Sequence, residues 1–285
     1  MSFVAVRRPY LLRVSLDDEA PNPREGYANL GSMVCWHRRY RLGDAHSYED
    51  PGDFLQEFVK ENVSDAELIR QTRAGEISGI RLGYVRRERL WAVEGYDAVP
   101  NEWIRLHGFG GPLSECRSEL AEAIRSEMSN HALLKLAAQK CCILPVYLFD
   151  HSGLHISTQD LTKWPGGRWD AGQVGWVYAD QKTVVAEFGK CGPAERKLTC
   201  DALSAEVELY DKYLSGECYG FQLYKDGEEQ ESCWGFLGTF EEVKKDIAGC
   251  LPEECSDLVD CLEEVSDVRM KELKDYEESL EEREV

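Results

Sequence analysis

The sequence predicts an α+β fold, a mostly antiparallel sheet packed with helices and followed by an acidic C-terminal helix. Three observations predict it. Short strand-like runs are interspersed with segments of helical period along the whole chain. Two pairs of such runs are joined by tight turns, at His151-Ser152-Gly153 and at Asp226-Gly227, and so short a connection joins antiparallel neighbours. The helical stretches carry end signals, with Asp50-Pro51 opening one and Thr239 standing three residues before Glu242 at another.

The first expected strand is 9–17, PYLLRVSLD, followed by a loop rich in Pro, Asn and Gly. A second is expected over 32–42, where Val34, Trp36 and Arg38 alternate with Cys35, His37 and Arg39. Asp50 as N-cap and Pro51 at the first helical position start a helix to about Asn62, with Phe54, Leu55, Phe58 and Val59 on its apolar face. A short helix over 64–73 precedes the arginine-rich, glycine-spaced strands of IRLGYVRRERLWAVEGY. Ser114 opens a long helix over 114–140, whose apolar face includes Leu120, Ile124, Met128, Leu133 and Leu136. Strands follow at 143–150, 154–158 and 172–180, then a helix over 197–215 and a hairpin of 218–225 with 231–237. Thr239 caps a helix to about 249, and Pro252 starts an acidic helix that runs to the end. The expected organisation is a core domain of 1–62 and 113–250, an inserted subdomain of 63–112, and an acidic helical tail of 251–285.

The chain has 285 residues, of which 43% are apolar, enough for a real core. It contains no apolar run long enough to span a membrane, and its N-terminus lacks the pattern of a signal peptide. Eleven cysteines, an odd number without a CxxC pair, read as reduced thiols. Cys141 and Cys142 stand at a helix–strand junction, where small buried thiols are common; Cys250, Cys255 and Cys261 lack the close ligand pairs of structural zinc. Net charge is −20, and the last 34 residues carry much of it. Such a chain repels phosphate backbones, so no direct nucleic-acid binding is expected, whereas a basic protein surface is favoured. Arg81, Arg86, Arg87 and Arg89 concentrate positive charge and read as a solvated strand face balanced by Glu88 and Glu94.

The candidate chemistry lies in 143–178. Asp150, His151 and Asp170 are the candidate catalytic residues, because an Asp and a His can share a proton or hold a metal. Alternation along the strand sends Asp150 and His151 to opposite faces unless the turn twists them together. His151 and His155 flank the turn and, with Asp150 or Asp170, are a metal-ligand set in type; HxxxH is diagnostic only on a helix. Trp164 and Trp169, beside Trp176 and several glycines, are candidate stacking residues, and Gly172 and Gly175 suggest close packing or special backbone angles. Asp170 also suits a loop cap. Glu263, Glu264 and Asp267 are candidate binding carboxylates of the tail. No GxxxxGK[ST], GxSxG or HExxH motif occurs, and GFGG at 108–111 is too short for a phosphate loop.

The segments LGSMVCWHRRYRLGD (30–44), LPVYLFDHSG (144–153), WDAGQVGWVY (169–178) and ELYDKYLSGECYGF (208–221) resemble a broad family of uncharacterised proteins encoded by bacteriophages and mobile elements. The resemblance spans most of 9–250 in pieces and implies an accessory protein in the cytoplasm of a bacterial host, with no activity or catalytic residue to carry over. The leading expectation is a non-enzymatic protein, without cofactor, that binds a host protein with a basic surface and inhibits a defence or nucleic-acid-processing system. One alternative is a hydrolase or nucleotide-acting enzyme that uses a divalent metal at the 150–170 Asp/His cluster. Another is an assembly protein that self-associates through the apolar stripe of 258–280, from Leu258 and Leu262 to Leu280.

Overall fold

The computed structural model describes residues 2–26, 28–151 and 153–265. The fold is α+β. In chain order the elements begin with β1 (Ser2–Arg7), β2 (Tyr10–Leu16), β3 (Ser32–Cys35), α1 (Pro51–Asn62), α2 (Asp65–Arg73), β4 (Ile80–Val85), β5 (Leu90–Asp97) and β6 (Glu102–Gly110). There follow α3 (Arg117–Glu127), α4 (Asn130–Lys140), β7 (Cys141–Asp150), β8 (Leu154–Ser157), the short α5 (Gly167–Asp170) and β9 (Ala171–Asp180). The described chain ends with α6 (Gln181–Phe188), α7 (Pro193–Leu214), β10 (Cys218–Lys225), β11 (Glu228–Leu237), α8 (Phe240–Cys250) and β12 (Glu263–Val265). Short 3₁₀ helices occupy Leu161–Lys163 and Ser256–Cys261.

These elements fall into two compact units. The first comprises Met1–Asn29, Val146–Gln173 and Ser204–Val285, and the second Leu30–Pro145 and Val174–Leu203. Strands β7 and β9 and helix α7 each run from one unit into the other.

The first unit is built on a five-stranded sheet of order β11-β10-β2-β1-β12. Strand β2 lies between β1 and β10, pairing antiparallel with both. Its alternate residues Leu12 and Val14 are fully buried with Phe221 and Leu223 of β10. Helix α8 adds Val243 and Ile247 to this core, and the stretch after it adds Cys255, Leu258 and Val259. The turn Asp226-Gly227 has positive φ at both residues, 52° and 88°, which a two-residue hairpin of type I′ requires. Thr239 N–H donates to the Glu242 carboxylate at 2.8 Å, closing the foreseen cap of α8. The Arg24 guanidinium, almost wholly buried, pairs with Glu206 at 3.0 Å.

The second unit packs α1 to α4 with the three-stranded sheet β4-β5-β6 around one core that includes Phe54, Leu68, Val93, Leu120, Ile124 and Leu133. Asp50 caps α1 by accepting from the N–H groups of Gly52 and Asp53. The buried Arg125 of α3 donates to Asp65 at 2.9 Å and Glu122 at 3.1 Å, joining α3 to the first turn of α2. Arg196 of α7 donates to the carbonyls of Ala138 and Cys141, both at 2.7 Å, and so satisfies the last turn of α4. Strand β3 pairs antiparallel with β9, Val34 opposite Trp176 and Cys35 opposite Gly175.

Several expectations are corrected. The strand expected over 32–42 ends at Cys35, because His37 Nδ1 accepts from the N–H groups of Arg39 and Tyr40 and turns the chain. The helix expected over 114–140 is two, since Met128 is extended and Ser129 caps α4 through Ala132 N–H. Helix α6 and strand β1 were not foreseen. Residues 63–112 lie in the second unit together with α1, α3 and α4. Pro252 does not open the expected helix: 256–261 form a short 3₁₀ helix and Glu263–Val265 pair with β1, whose outer backbone edge would otherwise lack partners. The rest of the expected acidic helix lies outside the described residues.

Of the two glycines singled out in β9, Gly175 is required by packing and Gly172 is not. A Cβ on Gly175 would stand 1.9 Å from the Val34 carbonyl oxygen, whereas one on Gly172 would meet nothing within 4 Å. Gly175→Ala should therefore lower stability by about 2 kcal/mol or more, and Gly172→Ala should change it by less than about 0.5 kcal/mol. Urea unfolding of the two variants tests this, and equal costs would refute the packing argument.

Candidate functional site

The hairpin of β7 and β8 holds Asp150, His151 and His155. Its register sets Phe149 opposite His155 and Asp150 opposite Leu154. Pleating then puts Phe149, His151 and His155 on one face, while Asp150 shares the other with the buried Leu148 and Ile156. Asp150 and His151 diverge, as alternation implies. Trp164 covers the first face, with its ring centre 5.9 Å from Phe149 and 6.3 Å from His155. The ring of His151 lies 6.0 Å from Phe149.

The two imidazoles go to different carboxylates. His151 Nδ1 is 3.2 Å from Asp170 Oδ2, and His155 Nδ1 is 3.5 Å from Asp211 Oδ1. Among the described residues no three His, Cys, Asp or Glu side chains are placed to hold a metal ion, so the set of His151, His155 and Asp150 or Asp170 is not assembled. The His151–Asp170 pair faces water, and an exposed pair of this kind is worth less than about 1 kcal/mol, whereas His155 and Asp211 are only partly exposed. Trp169 is exposed, with the Arg168 guanidinium 5.6 Å from its ring centre. The foreseen loop aromatics thus separate: Trp164 packs on the hairpin, Trp169 points to solvent, and Trp176 is buried in the second unit's core.

Asp211 escaped the sequence reading. It follows Tyr210 on α7, whose buried stripe is Thr199, Leu203, Val207 and Tyr210. A carboxylate flanking such a stripe is the signal that marks it. Besides facing His155, Asp211 accepts the Ile156 N–H at 2.7 Å and so occupies a backbone donor of the short strand β8. Burial raises the carboxyl pKa of Asp211 above its ordinary value; the Ile156 N–H and His155 act in the opposite direction and only partly offset it.

The tail carboxylates are placed only in part. Glu263 and Glu264 are exposed on β12, opposite Val4 and Phe3 of β1. Asp267 lies outside the described residues. Leu258 is buried in the first unit's core with Leu262 against it, so this part of the stripe expected to self-associate is used within the chain. No disulfide joins the cysteines among the described residues. Burial pushes the Cys141 thiol up to about 12 and Cys142 up to about 11, which leaves both poor nucleophiles near neutral pH. Cys35 is buried in β3. Of the three C-terminal cysteines, Cys255 is buried while Cys250 and Cys261 are exposed.

A second feature of the first unit was not anticipated. The pairing of β10 with β11 slips between Tyr219/Phe236 and Phe221/Cys233, leaving Trp234 and Gly235 as a bulge with Gly235 at φ 90°. The bulge lays the Trp234 ring on Gly220, where a Cβ would meet the indole at 2.0 Å. Trp234 and Gly235, with Asp17, Asp18, Glu19 and Pro21, line a cavity of about 530 Å³. Three carboxylates beside a half-exposed indole form an environment for an organic cation, through charge and through the ring face.

Comparison with protein-family models, with curated proteins and with solved structures gives no match for this chain.

The raised carboxyl pKa of Asp211 has a pH signature. Its un-ionised form is favoured in the folded chain, so its contribution is fully present below the unfolded pKa and is lost as pH rises through the folded one. Asp211→Asn keeps an oxygen for the Ile156 N–H and removes the ionisation. The variant should gain stability relative to the parent chain as pH rises from about 4 to about 7. Chemical denaturation across that range measures the difference, and a variant that keeps or loses stability relative to the parent as pH rises would contradict the burial argument.

Proposed function

We propose that this chain is a non-enzymatic interaction protein that binds a basic segment of another protein. The single observation that carries the reading is the pocket of Asp17, Asp18, Glu19 and Trp234. A lysine or arginine side chain entering it meets carboxylates at the rim and an indole face, each favourable for a cation and together selective for one. The net charge of −20 attracts the same class of partner over a longer range. The separation of His151 and His155 onto two different carboxylates favours this reading over metal-dependent hydrolysis.

The setting we propose follows the resemblance of 30–44, 144–153, 169–178 and 208–221 to proteins of bacteriophages and mobile elements. The chain is then an accessory protein in a bacterial cytoplasm, and its partner is a host protein of defence or nucleic-acid processing. Interference with that partner is the consequence of occupying its basic surface.

The test is affinity purification of the tagged full chain from such a host, in parallel with Trp234→Ala and with Asp18→Asn/Glu19→Gln. A stoichiometric partner should be retained by the parent chain and released as salt rises above about 0.3 M. Loss of the indole face should weaken its binding about tenfold. A partner held equally by the parent and both variants would remove the pocket from the reading.

A further inference from the structure

The second unit carries a cationic and aromatic groove to which the protein-binding reading gives no role. Two cavities share Leu113 as a common wall. One, of about 400 Å³, is lined by Arg70, Arg73 and Arg117 with apolar residues of α2 beneath them. The other, of about 620 Å³, is lined by Tyr84, Arg89 and Trp91 with Gly111 and Pro112. The Arg73 guanidinium sits 5.2 Å from the Trp91 ring centre and links the two, and the rings of Tyr84 and Trp91 are 5.1 Å apart.

The charge balance here differs from that of the strands beside it. Arg81 pairs with Glu94 and Arg105 with Glu88. Arg70 makes one long, exposed contact to Glu76 at 3.5 Å. Arg73, Arg89 and Arg117 make no ion pair among the described residues. Arg70 and Arg73 stand three residues apart on the last turn of α2, where cations suit the helix dipole. Arg117 opens α3, where a cation opposes the dipole. In a chain of net charge −20, the guanidiniums of Arg73, Arg89 and Arg117, unpaired among the described residues and gathered along one groove, are a local anomaly, and an anion relieves it.

We propose that this groove binds a nucleoside polyphosphate, with the phosphates held by Arg70, Arg73 and Arg117 and the base against Tyr84 and Trp91. Guanidinium forks match phosphate oxygens bidentately, and flat rings stack on aromatic side chains with little regard for base identity. Each cavity is in the size range that small ligands occupy. A longer nucleic acid is disfavoured by the charge of the whole chain, which a compact ligand escapes.

The experiment is calorimetric titration of the full chain with ATP, GTP and CTP in turn, and with pyrophosphate and adenosine as the two halves of one ligand. At least one nucleotide should bind saturably, and tighter than pyrophosphate or adenosine. Arg73→Ala/Arg117→Ala removes two exposed side chains and should weaken that nucleotide about tenfold or more. Tyr84→Ala should weaken the nucleotide and leave pyrophosphate unchanged. Arg86→Ala/Arg87→Ala, which removes the same charge outside the groove, should shift affinity by less than about twofold. The proposal is overturned by no saturable nucleotide binding, by a groove pair that binds as the parent does, or by a control pair that weakens as much. It is equally overturned if pyrophosphate binds as tightly as the nucleotide, or if an oligoglutamate peptide displaces it at matched concentration, since the site then recognises bare charge or an acidic chain.

Discussion

The pairing of Tyr10–Leu16 with Cys218–Lys225 is the constraint on which the first unit depends. Two strands more than 200 residues apart in the chain become neighbours in one sheet, and the intervening chain is an excursion between them. Closing so long a loop costs conformational entropy, although the cost grows only slowly with length. The burial of Leu12, Val14, Phe221 and Leu223, together with Val243 and Ile247 of α8, supplies the compensating apolar contact. The ends of the described chain are tied to the same sheet. Glu263–Val265 pair with β1, and Arg7 bonds to Asp257 and to the Glu254 carbonyl.

The hairpin of β7 and β8 illustrates how neighbouring chemistry can be divided by geometry. His151 and His155 are four residues apart and share a face, yet each nitrogen finds its carboxylate on a separate element, one at the end of α5 and one on α7. The Asp211 oxygen that faces His155 also accepts the Ile156 N–H. A backbone donor on a short strand must be satisfied, and a carboxylate on an adjoining helix is a strong acceptor for it. The same side chain is thereby part of the fold and of the surface chemistry.

Charge is segregated at short range as well as in total. In the first unit Asp17, Asp18 and Glu19 surround a half-exposed indole that a β-bulge has turned onto Gly220. In the second, arginines gather beside Tyr84 and Trp91. Each arrangement places like charges together, at a cost to the isolated chain, and each sets them beside an aromatic face. Ligands of opposite charge therefore suit the two features.

The elements whose determinants lie within a few residues were legible in the sequence. Asp50-Pro51, Thr239 with Glu242 and Asp226-Gly227 set their helix starts and turn by local hydrogen bonds and backbone angles, and the α+β class followed from such pieces. The side-by-side alternation of Asp150 and His151 was legible for the same reason. Tertiary structure alone decided where Asp211 stands, that Trp234 lies on Gly220, and that 252–265 leave the helical path to bury Leu258 and complete the edge of β1. The placing of Asp211 and the completion of the β1 edge are set by partners that lie 55 to 263 residues away, as between Ile156 and Asp211 or Ser2 and Val265, and the Trp234 contact by the pairing of β10 with β11. Local pattern carries no record of a backbone edge or an apolar face that far along the chain, so a run that reads as helix yields where distant unpaired strand groups and core contacts offer more.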